Sequence, residues 1–340
     1  MRQVNKTFVI AEAGVNHNGD MALARALVDV AAAAGADAVK FQTFVVDRLV
    51  TRTAATADYQ QRALGGEPSQ YEMLARLELS AADHEMLAGH CAARGIEFMS
   101  TPFDPESAHF LKRLGVRRIK ISSGDVTNLP MLEVVGALGL PVILSTGMAD
   151  LDEVAEAVAT LRGRGVTDLA LLQCISNYPA DPALTNLRVM DTFARTFGTP
   201  VGLSDHSTGI AVAIAAAARG AAYIEKHFTL DRALPGPDHQ ASLLPDELRA
   251  LVAAVREVES ALGDGVKRPA PSELPVRAVA RKSLVAARDL PPGTALAAAD
   301  LVILRPGTGL SPAALPRVLG RRTTRLIPHH TPITEDMLRP

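Results

Sequence analysis

A repeat constrains the fold of this chain more than any other feature of its sequence. A short apolar run followed by a segment with helical spacing occurs eight times within residues 7–262. In the first unit, residues 7–14 (TFVIAEAG) are rich in β-forming residues, and residues 20–35 carry apolar side chains at helical spacing before a glycine. Strands that alternate with helices predict a parallel sheet.

The other units follow in order along the chain. Their predicted strands are residues 37–44, 96–103, 117–124, 141–147, 169–176, 199–207 and 223–230. The second helix opens at Ser80, where Asp83 completes a variant capping box. The later helices are predicted at 105–114, 129–138, 151–164, 187–197, 209–220 and 245–262. Eight such units in this length are what a (β/α)8 TIM barrel requires.

A doubly wound open sheet is the main alternative to the barrel. It would normally carry a G-x-G-x-x-G phosphate loop after its first strand, whereas residues 11–20 (AEAGVNHNGD) space their two glycines differently. We therefore predict an α/β fold with a TIM barrel over residues 1–262. Residues 263–282 are rich in Pro and Gly, which is typical of a linker, and residues 283–340 carry short β-like pieces between turns. That pattern predicts a small separate β-rich module.

Composition excludes several classes of function. The net charge of −2, the 4% of aromatic residues and the absence of Trp give no basis for binding nucleic acid or an anionic membrane surface. Charges interrupt the apolar runs before they reach membrane-spanning length, and the run before Glu12 is too short for a signal peptide. Cys91 and Cys174 lie in apolar contexts typical of buried free thiols, so we expect a cytoplasmic protein.

The predicted strands end in polar residues, at the face where TIM barrels carry their active sites. Polar side chains within apolar strands are costly unless satisfied, so packing alone is a weak explanation for so many. The candidates at or after the strand ends are Glu12, Lys40, Gln42, Thr101, Lys120, Ser123, Asp125, Ser145, Ser176, Tyr178, Ser204, His206, Glu225 and His227.

Two of these candidates, His206 and His227, close neighbouring strands, so both imidazoles can approach one ion. Strand alternation places Ser204 with His206 on one face, and Glu225 with His227 on one face. Imidazole with carboxylate and water suits a borderline or hard divalent ion, with Glu12 or water as a further ligand. The alternative is that each histidine is an ordinary hydrogen-bonded residue at a strand end.

Three lysines, Lys40, Lys120 and Lys226, lie within predicted strands, where a buried ammonium group needs a compensating anion. Hydroxyl side chains accompany the first two at the strand ends, and cations ringed by hydroxyl donors predict a pocket for phosphate and carboxylate. Two alternatives stay open. Each lysine forms an ion pair with a nearby acid such as Glu12 or Glu225, or a desolvated lysine forms a Schiff base with substrate, as in a metal-independent aldolase.

Eight motifs carry a family resemblance: FVIAEAGVNHNGD, AVKFQTF, MSTPFD, KISSGD, LSTGM, GLSDHS, IEKHFTL and PGPDH. In this order they resemble the bacterial sialic acid synthases, which are phosphoenolpyruvate (PEP)-dependent N-acetylneuraminate synthases and their legionaminate and pseudaminate relatives. The resemblance covers essentially the whole chain, and residues 283–340 resemble the antifreeze-like (SAF) domain of those enzymes. It implies that PEP condenses with an N-acylmannosamine-type sugar aldehyde to give a nine-carbon 2-keto sugar acid and phosphate, with Mn²⁺ or Mg²⁺ as cofactor.

The resemblance also implies roles for single residues. His206 and His227 match the metal ligands, and with Glu12, the acid–base candidate, they form the catalytic set. The residues that match the PEP site are Lys40, Thr101, Lys120, Ser123, Ser145, Ser176 and Ser204. The residues that match the sugar site or the reacting centre are Gln42, Asp125, Tyr178, Asp238 and Arg305. Taken alone, Asp238 is explained equally well as a turn or helix-capping residue.

Two positions depart from the family pattern. Many relatives have Ser-Gly-Glu where this chain has Ser123-Gly124-Asp125, and some have Asn in place of Ser176. Because the Asp125 side chain is shorter than Glu, its contact with the sugar can differ from that in the relatives, and the identity of the sugar can differ with it. Residues 57–80 resemble the sialate and legionaminate branches more than the pseudaminate branch. A legionaminate or pseudaminate synthase acting on a 2,4-diacetamido-trideoxyhexose is the alternative within the family.

The small C-terminal module carries a loop suited to an anion, residues 300–312 (DLVILRPGTGLSP), which includes Arg305. In the family that this chain resembles, the SAF domain is exchanged across a symmetric dimer and its arginine reaches the partner's sugar site. We therefore expect a homodimer with swapped C-terminal domains. A non-enzymatic ice-binding module is the alternative, but its binding face would be weakly charged. The module instead carries Arg281, Arg288, Arg305, Arg317, Arg321, Arg322 and Arg325.

Overall fold

The computed structural model describes residues 6–55 and 69–340, and the chain divides into two compact units, Met1–Asp264 and Gly265–Pro340. The first unit contains eight strands: β1 (Phe8–Gly14), β2 (Ala38–Thr43), β3 (Glu97–Pro102), β4 (Ile119–Ile121), β5 (Val142–Ser145), β6 (Leu169–Cys174), β7 (Val201–Asp205) and β8 (Tyr223–His227). They form one parallel sheet in the order β3-β2-β1-β8-β7-β6-β5-β4, and β3 contacts β4 where the sheet closes. The predicted TIM barrel is confirmed.

Helices follow the strands as predicted. They are α1 (Met21–Ala33), α2 (Val46–Leu49), α3 (Gln70–Ala75), α4 (Ala81–Arg94), α5 (Pro105–Leu114), α6 (Leu129–Ala137), α7 (Leu151–Gly163), α8 (Val189–Phe197), α9 (Ala211–Ala218) and α10 (Pro245–Leu262). The predicted helices agree with these bounds to within two residues at each end. The short α2 and α3 were not predicted. Of the branch-specific segment 57–80, residues 57–68 lie outside the described residues.

Local chemistry sets the helix ends. The predicted capping box is confirmed: Ser80 Oγ accepts from Asp83 N, and the Asp83 carboxylate accepts from Ser80 N. Helix α4 ends at Gly95, whose φ of 71° lies in the left-handed region that favours glycine. These signals lie in the sequence itself, which is why the helix ends were predictable.

Strand alternation sorts the barrel into two cores. Side chains that point outward pack against the helices in the main apolar core. Side chains that point inward form a smaller apolar cluster whose buried members are Ile10, Ala38, Met99, Ile143, Ala170 and Leu172. Two residues beyond Ile10, Ala38 and Met99 on the same strand faces stand Glu12, Lys40 and Thr101. The floor of the barrel is therefore apolar and the layer above it is polar.

The second unit has its own fold. Its helices are α11 (Leu274–Ala280) and α12 (Leu315–Val318), and its strands are β9 (Ser283–Ala286), β10 (Leu301–Leu304), β11 (Arg322–Thr323) and β12 (Leu338–Arg339). Strands β9 and β10 pair antiparallel, as do β11 and β12. Within the β-like region 283–340, residues 324–333 form isolated bridges rather than a strand, because Pro328 and Pro332 lack the N–H that a ladder needs. Helix α11 lies within the predicted linker, residues 263–282.

A separate apolar core holds this second unit together. Its buried members include Leu284, Leu290, Val318, Ile327 and Ile333. In the part of the chain that the structure describes, no helix has both the length and the apolar character needed to cross a membrane.

Candidate active site

The C-terminal ends of the barrel strands surround a cavity of about 460 Å³, which is within the size range of small-molecule sites. Every predicted site residue of the barrel except Asp125 lines this cavity. These residues are Glu12, Lys40, Gln42, Thr101, Lys120, Ser123, Ser145, Ser176, Tyr178, Ser204, His206, His227 and Asp238. Residues that are far apart in sequence therefore share one cavity at the mouth of the barrel.

Lys40 is the centre of an ion-paired cluster inside the barrel. Its Nζ lies 2.8 Å from Glu12 Oε2 and 3.8 Å from Glu225 Oε2, and it donates a 2.9 Å hydrogen bond to Thr101 Oγ1. Register explains the closest pair, because Glu12 of β1 stands opposite Lys40 of β2. All four side chains are buried, so their charges act on one another with little screening by water.

Lys120 joins the same cluster from β4. Its Nζ lies 3.3 Å from Glu225 Oε1 and donates to the carbonyl of Ile121. Glu225 Oε1 also accepts a 3.0 Å hydrogen bond from Ser204 Oγ. Glu225 therefore bridges the two lysines. The ion-pair alternative for Lys40 and Lys120 is observed. Glu225, one of the polar candidates at the strand ends, lines the same cavity, although no role in binding PEP or sugar had been predicted for it.

The two carboxyl groups of the cluster have opposite pKa shifts. Burial raises the pKa of Glu12 to about 7, and the Lys40 ammonium only partly offsets that effect. Burial acts in the same direction on Glu225, but Lys120 and Lys40 together outweigh it and lower the pKa of that carboxyl to about 2. Near neutral pH, Glu225 is ionised while Glu12 exchanges a proton. Two ammonium groups thus face fewer than two full negative charges, which favours an anionic ligand.

Small polar side chains lie beside the lysines. Gly147 N donates a 2.8 Å hydrogen bond to Ser123 Oγ. A Cβ at Gly147 would stand 2.3 Å from Ser176 Oγ and 3.2 Å from Cys174 Sγ, so any larger residue here would displace the Ser176 hydroxyl. Ser145 Oγ is buried and has no hydrogen-bond partner among the described residues. Hydroxyl groups that converge beside buried ammonium groups suit a phosphate or carboxylate.

The two histidines lie in the same wall of the cavity, with ring centres 5.4 Å apart. His206 Nδ1 donates a 2.7 Å hydrogen bond to the Ile175 carbonyl, which leaves the lone pair on Nε2. His227 Nδ1 is buried without a hydrogen-bond partner in residues 6–55 and 69–340. Burial, followed by the neighbouring His206, lowers the pKa of His227 well below its usual value. The ring of Tyr178 lies against His206, with the ring centres 4.0 Å apart and the planes inclined by 31°.

Two such imidazoles fit a divalent ion. Metal–nitrogen bonds of about 2.1 Å allow two imidazole ligands of one ion to have ring centres at the observed separation. Over the described ranges, no cluster of three or more His, Cys, Asp or Glu side chains has the geometry of a metal site. Glu12, the predicted further ligand, is engaged by Lys40. Water, the other predicted ligand, would therefore complete the coordination, together with oxygens of the substrate.

Cys174 is a buried free thiol, as predicted, but it also belongs to the cavity wall. Its Sγ lies 3.8 Å from His206 Nδ1, the nitrogen that already donates to the Ile175 carbonyl. The thiol therefore packs against the anchored edge of the imidazole and not against Nε2. Strand alternation on β6 could have signalled this position, because Leu172 of the barrel floor stands two residues earlier.

Lys226 does not share the site of the other two lysines. It lies on the outward face of β8, where its Nζ donates to Asp205 Oδ2 at 2.7 Å and to the Ser207 carbonyl at 2.6 Å. Alternation explains the difference, since the inward residues of β8 are Tyr223, Glu225 and His227.

The remaining predicted site residues have distinct positions. Burial raises the pKa of Asp238 to about 6, an effect that His206 partly offsets. Asp125 is half-buried, does not line the cavity, and accepts a 2.9 Å hydrogen bond from Asn128. Gln42 lines the cavity, and Arg305 lies in the second unit on the exposed loop after β10.

One side of the cavity is apolar, which the sequence did not predict. Leu49 and Val50 lie at the end of α2, Met73 and Leu74 lie on α3, and Phe103 follows β3. Most of this apolar wall, defined as these five residues, packs in a small cluster of its own at the barrel mouth. Helices α2 and α3 contribute most of these side chains, and no local pattern in the sequence marks such a long-range contact.

Comparison with known proteins identifies the family of the chain. Residues 27–267 match the NeuB family and residues 281–339 match the SAF domain. An N,N'-diacetyllegionaminic acid synthase of Legionella pneumophila is 50% identical over 93% of this chain and 90% of its own. A pseudaminic acid synthase of Campylobacter jejuni is 33% identical over 94% and 93%.

A solved structure resembles the chain as well. The N-acetylneuraminic acid synthetase of Leptospira borgpetersenii is 35% identical, covers 80% of this chain and 90% of its own, and superposes with a TM-score of 0.70. The predicted family and the predicted SAF domain are both confirmed. This chain belongs to the NeuB family of PEP-dependent sugar acid synthases.

Proposed function

We propose that this protein condenses PEP with the open-chain aldehyde of an N-acylated amino sugar, giving a nine-carbon 2-keto sugar acid and phosphate. The observation that carries the proposal is one cavity in which the Lys40–Lys120 cluster and its hydroxyl groups stand beside the His206–His227 pair. Cations with hydroxyl donors suit PEP, and the imidazole pair suits a metal that binds the aldehyde.

The PEP half of the proposal rests on charge and hydrogen-bond donors. Lys40 and Lys120 are held among buried partners, so their ammonium groups are preorganised for a phosphate and a carboxylate. The hydroxyls that would complete the PEP site belong to Thr101, Ser123, Ser145, Ser176 and Ser204. Ser145 Oγ already lacks a partner within the described chain, and a ligand oxygen would provide one.

The metal half rests on the two imidazoles. NeuB-family synthases are generally metal-dependent. His206 and His227 would hold Mn²⁺ or Mg²⁺ here, and the ion would supply positive charge that polarises the aldehyde oxygen. The Ile175 carbonyl, by accepting from His206 Nδ1, orients the ring and leaves the Nε2 lone pair as the one that would be available to the ion.

Carbon–carbon bond formation joins C3 of PEP to the aldehyde carbon. Water then adds at C2, and the tetrahedral intermediate expels phosphate as the 2-keto group forms. Glu12 takes the proton of that water, because a carboxyl with a pKa of about 7 accepts and returns protons near neutral pH. The residues proposed to hold and orient the sugar are Gln42, Asp125, Tyr178, Asp238 and Arg305.

The apolar wall favours one sugar class within the family. A 2,4-diacetamido-trideoxyhexose presents a methyl carbon and two acetamido methyl groups, whereas N-acetylmannosamine presents a terminal hydroxyl and one acetamido group. Met73, Leu74 and Phe103 can pack against such methyl groups. The relative that is 50% identical over 93% of this chain is an N,N'-diacetyllegionaminic acid synthase, which supports the same choice.

The test is phosphate release from PEP across a sugar panel. N-acetylmannosamine, its 6-phosphate and 2,4-diacetamido-trideoxyhexoses are each added to the full-length protein with and without Mn²⁺. We expect release only with both sugar and metal, and fastest with a diacetamido sugar. Turnover that survives complete metal removal would overturn the metal role. A covalent adduct trapped by borohydride would instead identify a Schiff-base aldolase.

A matched variant tests the apolar wall. Leu74→Asn keeps the size of the side chain but exchanges its methyl groups for an amide. We expect kcat/KM for the diacetamido sugar to fall about tenfold while that for N-acetylmannosamine changes less. Equal losses for both sugars would show that the wall does not select between them.

The quaternary part of the proposal is a cytoplasmic homodimer in which the second unit of one subunit supplies Arg305 to its partner's sugar site. The loop that presents Arg305 is braced: Ser283 Oγ donates to the Pro306 carbonyl at 2.7 Å and accepts from Gly309 N at 2.9 Å. A braced arginine offers a directed donor fork to a polyhydroxylated or anionic substrate.

Subunit mixing tests this arrangement. His206→Ala and Arg305→Ala homodimers should both lose turnover with the sugar. A mixed dimer of the two variants should regain up to one working site if the arginine acts on the partner. A mixed dimer that stays inactive, in a preparation shown to exchange subunits, would place the arginine's role within its own chain.

A further inference from the structure

The outward lysine of β8 occupies a place that packing alone does not explain. Lys226 and Asp205 are each only 2% exposed and form an ion pair on the helix-facing side of the barrel. Buried ion pairs are weak stabilisers, because well-packed apolar residues of similar volume often replace them without loss. A role other than stability is therefore worth testing for this pair.

The hydrogen bonds of the pair converge on the residues that flank His206. Lys226 Nζ donates to Asp205 Oδ2 and to the Ser207 carbonyl. Asp205 Oδ1 in turn accepts from Ser207 N at 2.9 Å and from Ser207 Oγ at 2.7 Å. The residues immediately before and after His206 are thus tied to each other and to one ammonium group.

The same ammonium group is also attached to the chain that carries the second histidine. Lys226 immediately precedes His227, and Asp205 stands opposite Lys226 in the register of β7 and β8. Two hydrogen bonds from Lys226 therefore join the strand ends whose next inward side chains are the imidazoles, and two more between Ser207 and Asp205 hold the β7 end together. A shift of one strand end against the other would change the 5.4 Å separation of the rings.

We propose that Lys226, Asp205 and Ser207 form a positioning clamp that sets the distance between His206 and His227 and so determines the affinity of the pair for a divalent ion. The clamp does not touch substrate or metal. It acts through the backbone, on the face of the strands opposite the cavity. The inference rests on the metal role proposed above for the two histidines.

The test is Mn²⁺ binding to the full-length protein without substrates, measured from the electron paramagnetic resonance signal of free Mn²⁺. Lys226→Met removes the shared donor, and we expect the Kd for Mn²⁺ to rise about tenfold or more. Lys226→Met combined with Asp205→Leu leaves no unpaired buried charge, so this double variant should fold while retaining the weakened binding. It keeps the test decisive if the single variant unfolds.

Arg118→Met is the matched control. Arg118 pairs with Glu97 at 2.9 Å and bonds the Tyr223 hydroxyl, at the start of the strands and thus at the far end of the barrel. Its loss should lower thermal stability while the Kd for Mn²⁺ stays that of the native protein. An equal loss of Mn²⁺ affinity in Arg118→Met would mean that general loosening, and not the clamp, controls the site.

Two failures can be told apart by including His206→Ala. If the native protein binds Mn²⁺ and His206→Ala does not, the metal role stands; an unchanged Kd in the folded double variant then overturns the clamp alone. If Mn²⁺ binding is absent, or is the same in His206→Ala as in the native protein, the metal role fails and the clamp fails with it. Weakened binding in the clamp variants, with native binding in Arg118→Met, supports the proposal.

Discussion

Lys226 and the pair Lys40–Lys120 are all buried ammonium groups on barrel strands, yet their surroundings differ. The carboxylate that faces Lys226 accepts hydrogen bonds at both oxygens, and the lysine also bonds a backbone carbonyl. Around Lys40 and Lys120, several buried polar atoms lack a full set of hydrogen-bond partners. Ser145 Oγ and His227 Nδ1 have no hydrogen-bond partner in the described part of the chain, and Glu225 Oε2 has only the 3.8 Å approach of Lys40.

The difference separates a structural site from a ligand site. A saturated network rigidifies its surroundings and has nothing left to offer a ligand. An unsaturated network of charged and polar groups that faces a cavity keeps donors for a ligand to use. Burial and charge alone, which the two lysine sites share, do not distinguish these cases; the partner of each polar atom does.

The largest effect that the comparison predicts is on turnover. Lys120→Met removes an inward ammonium group, and we expect kcat/KM for PEP to fall about 10²–10³-fold, the loss typical of removing one preorganised donor. Folding should be retained, because Glu225 still faces the Lys40 ammonium group at 3.8 Å and accepts a hydrogen bond from Ser204 Oγ when Lys120 is gone. Phosphate release and urea unfolding measure the two quantities. Turnover within a few-fold of native would remove Lys120 from the ligand site.

The next largest effect is on stability, and here the outward Lys226 matters more than the inward lysines. Lys226→Met leaves the Asp205 carboxylate buried without its ammonium partner, which costs about 3–5 kcal/mol in unfolding free energy. Lys40→Met should cost less, because Glu12, whose pKa is already raised to about 7, can become protonated. Urea denaturation of both variants at pH 7 tests the ranking. A larger loss in Lys40→Met would erase the proposed distinction between the two lysine sites.

A pH series sharpens the comparison because it acts on the inward cluster. Burial raises the pKa of Glu12 from 4.5 to about 7, while Lys40, Lys120 and Glu225 face the same carboxyl. The folded state thus favours the protonated form. Its contribution to stability is complete below pH 4.5 and is lost as the pH rises through about 7.

Glu12→Gln should remove this part of the pH dependence. Unfolding free energy measured between pH 5 and pH 8 is expected to decline in the native protein and to decline less in the variant. The activity of the variant should be low at every pH, because the amide cannot take a proton from water. Parallel stability profiles in the two proteins would show that Glu12 does not titrate in this range.

Much of the fold and part of the site could be predicted from the sequence, for physical reasons. Helix boundaries depend on local signals such as the Ser80 capping box, and strand ends depend on where apolar runs stop. Because parallel strands deliver their ends to one face, the polar residues after those runs were predictable as neighbours. Single residues with special side chains, such as His206 and His227, could therefore be placed in one cavity.

The rest depends on contacts that no local pattern encodes. Strand alternation assigns Lys226 and Glu225 to opposite faces, but it does not reveal that Glu225 bridges Lys40 and Lys120. The apolar wall requires α3 to fold over the barrel mouth. The position of Asp125 in the motif likewise does not determine its role, because its carboxylate accepts a hydrogen bond from Asn128 beside the cavity.

The smallest predicted effect comes from two serines that differ mainly in their partners. Ser145 Oγ is buried without a partner in the described chain, so Ser145→Ala removes an unsatisfied group and should leave the unfolding free energy unchanged or slightly higher. Ser207 Oγ donates to Asp205 Oδ1, so Ser207→Ala should cost about 1–2 kcal/mol. Activity should show the reverse order. The KM for PEP should rise in Ser145→Ala, because the hydroxyl without a protein partner is the one proposed to bind the ligand. The KM should stay near native in Ser207→Ala, because the backbone N–H of residue 207 still donates to Asp205. Urea unfolding and initial-rate kinetics on the same two preparations decide the matter, and a stability loss in Ser145→Ala with no change in KM would assign its hydroxyl to the structure and not to the ligand.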